Sequence, residues 1–174
     1  MHLKKISFSL FIGLLLFLFL KWDKALPLPD KSSCAFCKQS VLDSQKFYED
    51  DLVIALFNYK PALKGHSLII PKRHVESFDE LTNDEALRIT QIIKKVHKAS
   101  RTLFNAKSYL LYQKNGSEVG QTVPHVHVHY VPRKESERSL SSLLFKIATM
   151  SFQKQISSSQ MKELTQKMES LVND

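Results

Sequence analysis

The sequence predicts an α+β fold, with short antiparallel strands and one long helix in separate stretches of the chain. Two observations support this class: strand-like segments occur in two groups, and a single long helical pattern lies between the groups. The chain has 174 residues, which suits one domain, because domains commonly contain about 100 to 200 residues.

The first group of strands lies in residues 47–70. Residues 47–57 predict two short strands around the acidic turn Glu49-Asp50-Asp51, and residues 66–70 predict a third. Together these segments predict a β-meander.

The helical pattern follows this meander. Thr82-Asn83-Asp84-Glu85 is a helix-start signal in which either Thr82 or Asn83 can act as the cap. Apolar residues then recur at helical spacing: Ala86, Ile89, Ile92, Ile93 and Val96. One long helix is therefore expected to cover the sheet.

The second group of strands contains the most informative stretch, His125-Val126-His127-Val128-His129. Because side chains alternate faces along a strand, all three imidazoles should project from one side and the two valines should pack into a core on the other. This strand should pair antiparallel with residues 107–112. The loop before it contains Gly116 and Gly120, whose conformational freedom would let backbone amides approach an anion, so a phosphate-sized ligand is predicted.

Beyond the histidine strand, residues 134–174 predict a helical extension. Apolar residues at helical spacing around 140–148 are followed by a pattern rich in Gln, Lys and Glu that ends near Val172. These C-terminal helices carry no recognisable chemistry.

The chain is basic, with a formal net charge of +8, which suits anionic substrates. The sequence contains no basic run with interleaved aromatic residues, no zinc-finger helix and no RNA-binding fingerprint. A diffuse surface charge is therefore favoured over nucleic-acid binding.

The N-terminal residues 1–24 predict a signal peptide or membrane anchor, and residues 25–33 predict a linker with two prolines. A short basic head precedes the largely apolar residues 6–20, a run that is short for a bilayer span. Charged Asp23 lies where a signal peptidase requires a small residue, which favours an uncleaved anchor over a cleaved signal peptide. Leu and Phe surround the whole helix without a polar face, which disfavours the alternative of an amphipathic or buried helix.

A membrane-associated or exported protein is therefore expected, with a cytoplasmic protein as the alternative. The sequon Asn115-Gly116-Ser117 conflicts with a eukaryotic secretory lumen. A bacterial origin, or an N-terminal extension of about thirty dispensable residues, would resolve this conflict.

Cys34 and Cys37 are too few for a disulfide framework but have the close spacing of a metal or redox pair. They would supply half of a tetrahedral zinc site, whose other two ligands must come from elsewhere in the fold. The alternative is a pair of free thiols in an apolar turn.

Residues 120–133 resemble the signature of the histidine triad (HIT) family, His-x-His-x-His followed by two apolar positions, with the usual leading Gly-Gln-Thr and trailing Pro-Arg. Residues 57–72 resemble the nucleotide-side segment of the same family, so the resemblance spans residues 34–133. It implies a HIT-like fold, a five-stranded antiparallel sheet with helices, generally assembled as a homodimer.

The resemblance also implies the site residues. The central histidine, His127, would become nucleotidylated, which suits a neutral imidazole that can attack phosphorus at physiological pH. Three adjacent imidazoles would also be costly to desolvate without a ligand or partners. The supporting assignments are His129 and His66 at the phosphate, Asn58 at the ribose, Gln121 and Thr122 at the phosphate or leaving group, and Phe36, Phe57 and Ile54 along the base slot.

In relatives with a similar Cys-x-Phe-Cys start, zinc is held by that pair, by the histidine of Pro-Lys-x-His and by the first triad histidine. The matching residues here are Cys34, Cys37, His74 and His125. This match implies a structural zinc ion and leaves His127 and His129 for chemistry.

The resulting hypothesis is a nucleotidyl hydrolase that cleaves nucleotides at the α-phosphate. Gln121-Thr122 and the Pro-Arg-Lys tail resemble the fragile histidine triad branch, which cleaves dinucleoside polyphosphates, whereas the cysteine pair resembles prokaryotic-style members and the adenosine phosphoramidases. A nucleotide-binding signalling module with incidental turnover is the alternative from another class.

Overall fold

The computed structural model describes residues 34–137 and 139–173. Its centre is one five-stranded sheet with the spatial order β1-β2-β3-β5-β4, in which all neighbouring strands are antiparallel. The strands are β1 (Lys46–Glu49), β2 (Val53–Phe57), β3 (Ser67–Pro71), β4 (Ser108–Tyr112) and β5 (Val128–Arg133). The predicted α+β class and antiparallel sheet are confirmed.

The first hairpin forms around Asp50. One Asp50 carboxylate oxygen accepts backbone hydrogen bonds from Leu52 and Val53, both at 2.9 Å. An Asp side chain that binds the backbone two and three residues ahead stabilises a tight turn. The acidic stretch predicted to be a turn therefore links β1 to β2.

Within the described residues, four α-helices accompany the sheet: α1 (Gln39–Gln45), α2 (Asn83–Phe104), α3 (Leu140–Ala148) and α4 (Ser158–Asn173). Thr82 caps the long helix α2, because its side chain accepts from the Glu85 backbone and the Glu85 side chain accepts from the Thr82 backbone. This capping box satisfies two amides that would otherwise lack partners at the helix start. The predicted helix start is confirmed.

The sheet has an apolar cluster on each face, and β2 shows how the sequence divides them. Val53, Ala55 and Phe57 pack towards α2 and α4, whereas Ile54 and Leu56 pack on the opposite face with the turn that carries Cys34 and Phe36. This division follows the alternation of side chains along a strand. It separates a helix-covered core from the face that carries the candidate site.

Helix α4, which the sequence predicted as part of a C-terminal extension, packs into the main core. Met161, Met168 and Val172 are buried in the same cluster as Phe47 and Phe57. The C-terminal residues therefore contribute directly to the helix-covered face of the sheet.

The expected membrane-associated or exported location is contradicted. Across residues 34–137 and 139–173, no helix combines the length and apolar character needed to cross a membrane. The predicted signal peptide or anchor (1–24) and linker (25–33) lie outside the described residues.

Candidate functional site

The histidine motif lies where the chain enters β5. The strand begins at Val128, three residues later than predicted, because the Val126 amide donates to the Val75 carbonyl (2.6 Å) instead of joining the sheet ladder. The valines nevertheless behave as expected, with Val126 fully buried and Val128 in the main core. The His127 and His129 rings lie close together, with centroids 4.9 Å apart.

The backbone fixes which nitrogen of His127 carries hydrogen. His127 Nδ1 lies 2.6 Å from the His125 carbonyl oxygen. A carbonyl can only accept, so Nδ1 must donate, and the Nε2 of a neutral ring then keeps its lone pair. The central histidine therefore presents a nucleophilic nitrogen.

A second chain of hydrogen bonds fixes His129 in the opposite tautomer. The Ala62 backbone N–H donates to His66 Nδ1 (3.2 Å), and His66 Nε2 lies 2.9 Å from His129 Nδ1. Because His66 Nδ1 is an acceptor, its Nε2 carries the hydrogen and donates to His129. The remaining nitrogen of His129, Nε2, then carries a hydrogen that it can donate.

These imidazoles are held neutral at physiological pH. Burial, with a smaller contribution from His127, lowers the pKa of His66 to about 3. Burial also lowers the pKa of His127, although its bond to the His125 carbonyl opposes the shift. The pKa of His129 is strongly lowered by burial and by the neighbouring His127, His66 and Lys114. Neutral rings are the forms in which the nucleophile and donor assignments hold.

Tyr112 orients His129 from the side. Its ring stacks on the imidazole with centroids 4.2 Å apart and an interplanar angle of 9°. Both residues are paired across β4 and β5 in the sheet register. Burial raises the pKa of Tyr112 to about 12, so the ring stays neutral beside the histidines.

The His127 and His129 side chains open into a cavity of about 390 Å³. Volumes of this size hold small-molecule ligands in proteins. Its lining also includes the predicted residues Asn58, Thr122 and Phe36. The other lining residues are Ala35, Val41, Gln45, Tyr59, Lys60, Leu68, Val123, Met150 and Ser151.

Two residues predicted to line the base slot, one aromatic and one aliphatic, do not line the cavity. Phe57 packs on the opposite face of the sheet, against Phe47 and Phe104, because alternation along β2 directs it towards the helices. Ile54 is on the correct face but lies in the cluster with Cys34 and Phe36 and does not line the cavity.

Asn58 is buried at the end of β2, with 6% of its surface exposed. Its side-chain oxygen accepts from the Lys60 amide (3.0 Å), which directs the side-chain NH₂ group towards the Met150 sulfur at 3.4 Å. A thioether is only a weak acceptor. The amide therefore retains capacity to bind a stronger acceptor in the cavity.

Gln121 does not line the cavity and instead organises the preceding loop. Its side-chain oxygen accepts from Gly116, and its NH₂ group donates to the Glu76 and Val123 carbonyls. The Gly120 amide donates to the Ser117 carbonyl within the same loop. The amides of Gly116 and Gly120 are therefore both satisfied within the loop itself.

The same loop supplies a cation that sequence reasoning missed. Lys114 acts electrostatically on His127 and His129, lowering the pKa of both. Its ammonium lies 3.4 Å from the Gly120 carbonyl. A positive charge at this position favours an anionic ligand beside the two histidines.

The four predicted metal ligands meet on the same face of the sheet. One ligand atom from each of Cys34, Cys37, His74 and His125 lies within 4.8 Å of all the others. The Nδ1 of His125 is 3.6 and 3.7 Å from the two sulfurs, and His74 Nδ1 is 3.2 Å from the Cys37 sulfur. Tetrahedral zinc, with ligands at about 2.3 Å (sulfur) and 2.0 Å (nitrogen), requires sulfur-to-nitrogen separations of roughly 3.5 Å. The residues fit a zinc ion.

The surroundings of this cluster also suit a metal. His125 Nε2 donates to the Pro71 carbonyl at 2.9 Å, which leaves Nδ1 unprotonated and directed at the cysteines. The cluster is linked to the cavity through Phe36, whose ring makes edge contacts with His125 and His127 at 5.9 and 5.2 Å between centroids. The His125 carbonyl additionally orients His127.

Met150 and Ser151 are cavity residues that sequence reasoning did not select. They lie in a short 3₁₀ turn between α3 and α4, far along the chain from both histidine-bearing segments. No motif or periodicity marks them, because their position depends on how the C-terminal helices pack.

The chain resembles known proteins over most of the region that contains this site. Residues 39–136 match the HIT domain model. The bis(5′-nucleosyl)-tetraphosphatase (asymmetrical) of Schizosaccharomyces pombe is 39% identical over 102 residues, which are 59% of this chain and 56% of that protein. The chain thus spans little more than half the length of that relative. Adenosine 5′-monophosphoramidase hnt1 of the same organism is 36% identical over 110 residues, covering 62% of this chain and 80% of the relative.

Solved structures support the same architecture. A Zn-bound histidine triad family protein from Mycobacterium smegmatis superposes with a TM-score of 0.63 over 83% of this chain and 96% of that one, at 21% identity. At this identity the similarity concerns the fold, which agrees with the five-stranded sheet described above.

Proposed function

Because this chain belongs to the HIT-domain family, we propose that it is a nucleotidyl hydrolase that cleaves dinucleoside polyphosphates or related nucleotides at the α-phosphate. The observation that carries this proposal is the paired tautomers of the two histidines. His127 offers an unprotonated nitrogen, and His129, beside it, offers a hydrogen. Nucleophilic displacement at phosphorus needs both.

In the first step, His127 Nε2 attacks the α-phosphorus. A nitrogen–phosphorus bond forms, the bond to the departing phosphate oxygen breaks, and the leaving nucleotide takes the electron pair. The His125 carbonyl holds the hydrogen on Nδ1 and so stabilises the positive charge that develops on the ring.

In the second step, water attacks the same phosphorus. The nitrogen–phosphorus bond breaks, its electron pair returns to His127 Nε2, and the nucleoside monophosphate is released with the proton lost by water. The histidine is regenerated, which is the purpose of a covalent intermediate in hydrolysis.

The remaining residues support these steps. His129 donates its Nε2 hydrogen to the phosphoryl or leaving-group oxygen, and His66 keeps that hydrogen in place. Lys114 offsets negative charge on the phosphates. Asn58 and Thr122 contact the substrate within the cavity, whereas Gln121 holds the loop that carries Thr122.

Two alternatives share this site. The similarity to an adenosine 5′-monophosphoramidase favours adenosine phosphoramidase activity, in which the same His127 attack would expel an amine. A nucleotide-binding module with incidental turnover would need the cavity but not the nucleophilic tautomer. The exact placement of His127 against the His125 carbonyl therefore favours an enzyme.

Purified protein should be incubated separately with diadenosine polyphosphates and with adenosine phosphoramidate. We expect release of AMP by the natural chain and a loss of at least about 1,000-fold in His127→Ala, because the covalent route would be removed. Rapid acid quench followed by mass spectrometry should detect AMP attached to His127. His97→Ala is a matched control, since His97 contacts Tyr109 and Tyr130 away from the cavity.

The preferred substrate separates the two enzymatic alternatives. If neither substrate is consumed while AMP still binds, the binding-module reading replaces the hydrolase. If His127→Ala retains full activity, the assignment of the nucleophile is refuted.

We further propose that the Cys34, Cys37, His74 and His125 cluster holds a structural zinc ion. The ion would tie the turn that carries Phe36 to the segment that carries His125 and would supply no group to the reaction. Metal analysis should give about one zinc per chain, with none in Cys34→Ser. Absence of zinc from the natural chain would refute this assignment.

A homodimer is the proposed assembly. β4 is an edge strand of the sheet, and its Tyr109 and Leu111 side chains are 42% and 39% exposed. An edge with free hydrogen-bonding groups and exposed apolar residues is suited to pairing with another chain. Analytical ultracentrifugation should give twice the chain mass for the natural protein and the monomer mass for Leu111→Lys.

A further inference from the structure

A short segment from outside the matched domain reaches the nucleotide cavity. The 3₁₀ turn Met150–Phe152 lies beyond residue 136, where the HIT match ends. Even so, Met150 and Ser151 line the cavity that contains His127 and His129. The turn adds side chains to the site that the family pattern does not contain.

Three contacts fasten this turn and the residues after it to residues 58–60. Lys60 Nζ donates to the Ser151 carbonyl at 2.7 Å, and the Ile156 amide donates to the Tyr59 carbonyl at 2.9 Å. The third contact is the Asn58 NH₂ group, 3.4 Å from the Met150 sulfur. The turn is therefore attached to the same short segment that carries Asn58.

The helices on both sides anchor the turn. Before it, Leu143 of α3 is buried against Leu63 and Val131. After it, Met161 and Met168 of α4 are buried in the main core. The turn is thus held between two packed helices and hydrogen-bonded to residues 58–60, so it forms a fixed wall of the cavity. With this wall in place, the cavity volume is about 390 Å³.

Met150 is well suited to contact a nucleoside. Its side chain is flexible and polarizable, and methionine sulfur packs favourably against aromatic rings. The Lys60 amide bond directs the Asn58 NH₂ group at the Met150 sulfur, so a ribose bound by Asn58, as the family resemblance implies, would lie beside Met150. A purine or pyrimidine next to that ribose would lie within reach of the thioether.

We propose that Met150 is a substrate-binding residue that packs against the nucleoside of the substrate, and that the Lys60–Ser151 tether holds it in position. This inference rests on the proposed function, because it assumes that the cavity receives a nucleotide. It assigns substrate binding, but no chemical step, to residues outside the matched domain.

Binding of AMP should be measured by calorimetry, together with KM and kcat for diadenosine tetraphosphate. For Met150→Ala we expect Kd and KM to rise about tenfold, since one apolar contact is lost, with kcat within about twofold because His127 is untouched. Lys60→Met should give a smaller rise in the same direction, and Lys60→Arg, which keeps a donor for the Ser151 carbonyl, should give a smaller rise than Lys60→Met.

Phe152→Ala is the matched control. Phe152 belongs to the same turn but is 79% exposed and does not line the cavity, so its loss should leave both constants unchanged. The double variant Lys60→Met with Met150→Ala should bind no more weakly than Met150→Ala alone, because the tether acts through Met150.

The outcomes separate this inference from the proposed function. If the natural chain binds AMP and Met150→Ala matches Phe152→Ala, the role of Met150 is refuted and the hydrolase proposal stands. If the natural chain neither binds AMP nor hydrolyses diadenosine tetraphosphate, both the role of Met150 and the hydrolase proposal are refuted. A rise in Kd confined to Met150→Ala and Lys60→Met, with unchanged thermal denaturation midpoints, supports the inference.

Discussion

Replacing His66 with phenylalanine should slow catalysis without weakening substrate binding. His66 is fully buried and lies behind His129, to which its Nε2 donates at 2.9 Å. It does not line the cavity that contains His127 and His129. Phenylalanine would fill a similar volume but could not hold the hydrogen of His129 on Nε2.

The size of the effect follows from that lost hydrogen bond. A buried hydrogen bond contributes about 1 to 1.5 kcal/mol net, and each 1.4 kcal/mol in the activation free energy changes the rate tenfold. We therefore expect kcat to fall about tenfold and KM to stay within about twofold. The Ala62 amide also loses its acceptor, so the free energy of unfolding should fall by roughly 1 to 3 kcal/mol.

Two measurements test this reasoning. Steady-state kinetics separates kcat from KM, and ¹⁵N NMR of the imidazole rings reports directly which nitrogen of His129 carries hydrogen. His66→Gln is the matched variant, since its amide can still donate to His129 Nδ1, and it should keep most of the activity. A His66→Phe protein with unchanged kcat, or with His129 still protonated only on Nε2, would refute the proposed relay.

Two further predictions concern stability. Gly65→Ala should lower the free energy of unfolding by about 2 to 5 kcal/mol in urea denaturation, because Gly65 has φ +89° and an added Cβ would lie 2.6 Å from the Phe104 ring. Gly116→Ala, also at positive φ but near only the flexible Glu118 side chain, should lower the free energy of unfolding by less, and equal losses would contradict the packing argument. Partial burial disfavours ionised Asp50, but hydrogen bonds from Val53, Leu52 and Arg88 outweigh this effect and lower its pKa from 3.8 to about 2. Ionised Asp50 therefore contributes roughly 2 kcal/mol to the free energy of unfolding above pH 4, and this contribution is lost as the pH falls from 4 towards 2. Asp50→Asn should show a smaller loss of stability over that pH range.

Several features of the fold were predictable because they depend on local patterns. The capping box at Thr82 and Glu85 and the apolar spacing of α2 involve residues a few positions apart, where the helical repeat fixes their relation. The acidic turn at Asp50 is also local. By contrast, the late start of β5 at Val128 arises from a bond between Val126 and Val75, which no local pattern contains.

The site was predictable to the extent that it resembles a family motif. The motif selected His127, His129 and Asn58, which the fold brings to one cavity. It also suggested a base slot that includes Phe57, and this was wrong. The conformational freedom of the two loop glycines separately suggested that backbone amides could approach an anion. The amides of Gly116 and Gly120 themselves donate within the loop, to the Gln121 side chain and the Ser117 carbonyl. Phe57 faces the helices because side chains alternate along β2.

The sequence by itself determined the chemical groups: three alternating imidazoles, the Cys34 and Cys37 pair before the first strand, and strand and helix patterns that indicate one domain. Only the tertiary structure decided what each group can do. The opposite tautomers of His127 and His129 depend on a backbone carbonyl and on His66, which is 63 positions away from His129 along the chain. The contribution of Lys114 and Met150 likewise depends on packing between distant segments, because periodicity describes a residue's own element and not its neighbours in space.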